Sequence, residues 1–137
     1  MNTDKFTDLP DWDDENFNSG EDNEGEGWKP NPTRDACKAL FEKWQSVVFL
    51  LNGVIALFLE NETGGDAILK FAASDLLTYA HIVGAKIKSS EAGGIYIIRM
   101  GNAAIIRQLA QDIATSLLLF TETGDVDNSH VEVVRNE

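Results

Sequence analysis

From residue 34 onward the apolar positions recur with a helical period, interrupted at two turns that each contain paired glycines. Cys37, Leu40, Trp44, Val47, Leu51, Val54 and Phe58 follow one another at alternating steps of three and four, which puts them on one face of a helix. Between Val47 and Leu59 the opposite face turns apolar too, through Phe49, Leu50, Ala56 and Leu57. A helix that is apolar all round needs cover on every side. This half therefore predicts a central helix, or one wrapped by a second copy of the chain. The first helix is expected over 34–60, with Thr33 as N-cap and Asp35 in the first turn, where the helix dipole favours an anion.

Asn61 to Gly65 reads as a turn whose glycines can leave the helix at positive φ. A second helix is predicted over 66–88, with an apolar stripe of Ile68, Leu69, Ala72, Leu76, Tyr79, Ala80, Val83 and Ile87. Its last turn carries Lys86 and Lys88, which suit the negative end of the dipole. Ser89 to Gly94 is the second turn. A third helix follows over 95–120, with Ile95, Ile98, Ile106, Leu109, Ile113, Leu117 and Phe120 on one face. Its opening, Ile95 to Ile98, has strand propensity, but the helical period runs through it. At 1.5 Å per residue the three helices are about 41, 35 and 39 Å long, and short turns make neighbours antiparallel. The expected fold is all-α: an antiparallel up-down-up bundle of three long helices, completed by homodimerisation. Apolar residues off the main stripes place that interface at Phe49, Leu50, Ala56 and Leu57 on the first helix and Leu118 and Leu119 on the third.

The charge divides the chain into three parts. Its formal net charge is −12, yet residues 33–120 hold equal numbers of acids and bases. Residues 1–32 carry −8 and residues 121–137 carry −4. The first segment, 1–32, is expected to be acidic and disordered, because its composition cannot repay the entropy of ordering. Residues 121–137 read as a polar, loose tail. A nucleic-acid grip needs clustered Lys and Arg, and only Lys70, Lys86 and Lys88 approach a cluster. The longest apolar run, Val47 to Leu59, contains Asn52 and falls short of the roughly 18 residues of a membrane span. One cysteine, Cys37, permits no internal disulfide. The expectation is a cytoplasmic protein without nucleic-acid or membrane partners.

Motifs that carry chemistry are missing: there is no GxxxxGK[ST], HExxH or GxSxG, and no Glu-x-x-His pair for a di-iron centre. No cofactor or metal is called for, and no catalytic residue stands out. His81 falls opposite the apolar stripe of its helix and is expected to be exposed. Cys37 is expected to be a buried small hydrophobe, with no histidine placed to activate it. The informative anomaly is Arg99 with Asn102, both within about 40° of the centre of the third helix's buried face. A buried Arg99 needs a carboxylate, carbonyl groups or an anionic ligand, and Glu91 is the nearest acid in sequence. The two residues are the candidate ligand site, near Gly84 and Gly101 at the same depth. The alternative has Arg99 reaching past the bundle end into water, with Asn102 a lone amide fixing register. A second polar set, Asn52, Asp75, Gln111 and Asp112, predicts another register-setting amide bond.

In the N-terminal segment, Phe6, Leu9, Trp12 and Phe17 are spaced among acids, a pattern able to dock onto a basic, apolar groove of a partner. The sequence thus points to a non-enzymatic helical module that binds itself and another protein. The second reading is a helical small-anion binder or enzyme using Arg99 and Asn102. The third is an acidic inhibitor or antitoxin, weakened because the charge lies on the tails.

Overall fold

The computed structural model describes residues 9, 32–61, 67–91, 96–122 and 126–137. Among these the fold is all-α, as expected: α1 (Pro32–Asn61), α2 (Ala67–Glu91), α3 (Tyr96–Glu122) and α4 (Asn128–Asn136). The bounds of the three long helices lie within three residues of those read from the periodicity. Proline opens α1 at Pro32, where its missing N–H costs nothing, so Thr33 sits inside the first turn and does not cap it. Asp35 is in that turn, as expected. α2 continues through Ser89 and Ser90, whose hydroxyls donate to the Lys86 carbonyl at 3.2 and 2.7 Å. Such back-bonding is compatible with a final helical turn. Phe6, Trp12, Phe17, Ile95 and the two glycine turns lie outside the described residues.

α2 packs against both α1 and α3, and α1 and α3 each also meet α4. The contacts run in opposite order along α1 and α2. Arg34 meets Glu91, Phe41 lies under Lys88 with Nζ 4.8 Å from the ring centroid, and the Trp44 indole donates to the Ala80 carbonyl at 2.8 Å. That last bond satisfies a buried N–H that would otherwise be left unpaired at a cost of about 1–3 kcal/mol. Between α2 and α3, Ser90 and Ser89 pair with Arg99 and Asn102. α1 and α3 meet at their C-terminal ends, where Phe58 and Phe120 stack edge to face with centroids 4.7 Å apart.

The core centres on Phe41, Leu51, Phe58, Leu76, Val83, Ile87, Leu117 and Phe120, all essentially inaccessible to solvent. The buried stripe of α1 takes in Phe41, Val48 and Ile55 in addition to Trp44, Val47, Leu51, Val54 and Phe58, while Leu40 is exposed. Ile68 and Ile98, assigned to stripes from their spacing, are also exposed. Beside Leu40, Phe41 is buried against α2, so the buried face of α1 is turned from the one read off the spacing. Phe49, on the face thought to need cover, is exposed.

The reading of 121–137 as a loose tail gives way to α4. Asp127 caps this helix, its carboxylate accepting from the Ser129 amide at 3.0 Å, and the His130 amide donates to the Asp127 carbonyl at 3.1 Å. Val131 and Val134, one turn apart, are buried together with Val126. α4 rests across both α1 and α3, and Lys43 reaches Glu137 at 2.7 Å. A nine-residue helix is too short to be stable alone. The packing of its two valines makes it part of the fold.

Candidate functional site

The polar residues singled out on α3 do meet, and they meet the C-terminal turn of α2. Arg99 is half-buried and its Nε donates to the Ser90 carbonyl at 3.0 Å. Asn102 is buried and its Nδ2 donates to Ser89 Oγ at 3.1 Å. The last carbonyls of a helix have no partner within it, so Arg99 works as a side-chain cap on α2. Both bonds fix α3 against α2 beside the turn that joins them.

Around them stand Glu91, Arg34 and Cys37. The Glu91 side chain is only 6% exposed, and its Oε1 lies 3.9 Å from Arg34 Nε, the outer limit of an ion pair. Its second oxygen, Oε2, is buried and has no hydrogen-bond partner among the described residues. Burial pushes the Glu91 carboxyl above the usual carboxylate range, against the opposing pull of Arg34 and Arg99. Glu91 is thus the acid that stands near Arg99, though as a neighbour in the field and not as a hydrogen-bonded partner.

Cys37 is half-buried. Burial raises its thiol, Arg99 pulls it down and Glu91 adds to the rise. A thiol held above its ordinary value stays protonated at neutral pH, and protonated thiols are poor nucleophiles and metal ligands. No group of three or more His, Cys, Asp and Glu able to hold a metal ion occurs among the described residues. His81, expected to be exposed, is half-buried; its Nδ1–H donates to the Leu77 carbonyl at 2.7 Å. Of the second polar set, Asp75 and Gln111 are exposed, Asn52 is half-buried, and Asp112 accepts from Gln108 at 2.9 Å within its own helix.

Of the residues proposed as an interface, Phe49, Ala56 and Leu119 are exposed and Leu50, Leu57 and Leu118 half-buried. Phe49 and Leu50 line a shallow, open groove with Glu42, Gln45, Ser46 and Glu137. On α3 the largest apolar exposure is at the opposite end from Leu119: Tyr96 is 71% exposed, Ile97 79% and Met100 55%. At 100° per residue these share one outward face with Gly101 and Ala104, both exposed. Further along that face come Arg107, Gln108, Gln111 and Thr115, all exposed and polar. The periodicity contained this signal, since Ile97 and Met100 stand nearly opposite Ile113 at 100° per residue.

Of the acidic segment, Leu9 is described along with Pro32 at the start of α1, and Leu9 is not free. It is 7% exposed and belongs to the core. Its methyl groups cover Gly84, where a Cβ would lie 2.8 Å from Cδ2 and 3.0 Å from Cδ1. The residue read as a docking side chain for a partner is docked on its own chain. Comparison of the chain with protein-family models, curated proteins and solved structures finds no match.

Proposed function

We propose that this chain is a helical protein–protein interaction module, an up-down-up bundle that self-associates through the outward face of the first three turns of α3. One observation carries the reading: Tyr96, Ile97 and Met100 are largely exposed on one face, with small Gly101 and Ala104 between and beyond them. Large side chains flanking small ones let two helices approach closely and still bury apolar area. A second copy fits this face because Tyr96, Ile97, Met100, Gly101 and Ala104 bring no charged side chain to it, so pairing there buries apolar area without burying a charge. Phe49 and Ala56 on α1 and Leu119 on α3 are exposed too, the first two among Glu42, Ser46 and Glu60 and the last beyond the polar band of α3.

A bilayer is the other medium that would cover such a face. Pro32–Glu60 and Tyr96–Glu122 are each long and apolar enough to cross one by length and composition, and only 17% of the α3 window is buried. Against a span, Arg107, Gln108, Gln111 and Asp112 fall in the middle of α3, where each charge at a bilayer centre costs about 2.5–3.5 kcal/mol. The small-anion reading has weaker support than self-association, because the Nε of Arg99 and the Nδ2 of Asn102 are already hydrogen-bonded to α2.

Sedimentation equilibrium at micromolar concentration tests the proposal. The wild-type chain is expected to be a dimer, and Ile97→Glu with Met100→Glu a folded monomer by circular dichroism. A monomeric wild type, or a dimer indifferent to both substitutions, would falsify it. Flotation with neutral phospholipid vesicles, abolished by the same pair, would move the assignment to a membrane surface.

A further inference from the structure

We propose that the notch at Gly84 is a socket for a leucine on an acidic segment, closed in this chain by its own Leu9. Glycine inside a helix is unfavourable and calls for a local reason. At Gly53 and Gly101 an added Cβ would meet nothing within 4 Å, whereas at Gly84 it would run into both methyl groups of Leu9. Gly84 is thus the interior glycine of the three whose missing side chain is occupied by another residue. Ala80, one turn earlier, is small and fully buried, with its carbonyl taken by the Trp44 indole. Pro10 follows Leu9 and biases it toward extended backbone, so a single leucine is presented as a knob.

Charge fits the same pairing. Asp8 and Asp11 flank the Leu9–Pro10 step within a segment of net charge −8. One turn beyond Gly84, Lys88 lies about 40° round α2 from it at 100° per residue, with its Nζ over the Phe41 ring. Opposite charge steers an acidic segment to this end of α2 and holds it in register, while the notch selects the leucine.

The consequence is competition. While Leu9 is seated, the acidic segment is tied to α2, and the socket is closed to any other leucine on an acidic peptide. A partner gains either element only by displacing Leu9, and its apparent affinity falls by the fraction of time the socket is open. This last step rests on the interaction-module reading above; the seating of Leu9 does not.

Two experiments on the full-length chain separate the steps. In a Cys37→Ser background, Leu9→Cys and Gly84→Cys are combined and treated with a short thiol-to-thiol crosslinker such as dibromobimane; the added Cβ lies 3.5 Å from Leu9 Cγ, which puts the two thiols within its span. An intrachain crosslink is expected. An interchain crosslink would overturn the cis seating, and none would overturn the socket. Next, a fluorescent peptide of residues 1–17 is titrated into wild type, Leu9→Asp, and Leu9→Asp with Gly84→Leu. It should bind Leu9→Asp about tenfold or more tighter than wild type and lose that gain with Gly84→Leu. Equal binding to wild type and Leu9→Asp would overturn the competition. A chain monomeric by sedimentation that still forms the intrachain crosslink would refute self-association and leave the socket standing.

Discussion

The two ends of the long helices solve the same problem by different chemistry. At one end Phe58, Leu117 and Phe120 are sealed from solvent, with the aromatic rings of α1 and α3 in edge-to-face contact. Shape alone closes that end. At the other end Arg34, Cys37, Glu91, Arg99 and Asn102 gather where α1, α2 and α3 converge, and hydrogen bonds to Ser89 and Ser90 hold α3 in place. A side of α3 anchored by polar groups buries little apolar area, so Tyr96, Ile97 and Met100 are left facing outward. One end stabilises the fold, and the other presents a surface.

The contrast can be broken most sharply at the sealed end. Phe120→Ala should cost about 3–5 kcal/mol by urea denaturation, whereas Ile97→Ala at the open end should stay within about 0.5 kcal/mol of the wild-type monomer. Equal losses would erase the distinction. A smaller effect is expected at Asn102→Ala, about 1 kcal/mol from the lost bond to Ser89, read from the same denaturation midpoints.

Glu91 adds a pH signature. Its carboxyl is raised above its ordinary value of 4.5, so the folded state binds a proton more readily than the unfolded one. Its stabilising contribution is present below pH 4.5 and is lost as pH rises through the folded-state value. The stability of wild type relative to Glu91→Gln should therefore be greater at pH 4 than at pH 7. A difference that grows with pH would contradict the burial argument.

The smallest effect belongs to Asp127, fully exposed and held below the usual carboxylate range by its bonds to Ser129, with His130 adding a little. Its capping contribution is present above the ordinary value of 3.8 and is lost as pH falls through the lowered one. Asp127→Ala should speed amide exchange in Asn128–Asn136 and leave α2 unchanged.

The helical class and the extents of α1, α2 and α3 were legible because apolar spacing and paired glycines mark them directly. Arg99 and Asn102 were legible as anomalies, since a polar residue on an apolar face must find a partner. That partner was less readable: Ser89 and Ser90 look like turn residues, and only their place in the last turn of α2 brings them within reach. α4 escaped notice because two valines on nine residues make a weak pattern until α1 and α3 give them somewhere to pack. Leu9 escaped for a related reason. A lone apolar residue among acids has no periodicity, and Gly84 shows as a notch only when something fills it.

The association surface can be tested by single cysteines at two open glycines on a Cys37→Ser background. Gly101→Cys lies on the apolar face of α3 and Gly53→Cys on the outer face of α1, and neither new side chain meets a neighbour within 4 Å. Oxidation is expected to give covalent dimer from Gly101→Cys and almost none from Gly53→Cys. Dimer from Gly53→Cys alone, or equal trace amounts from both, would contradict the account.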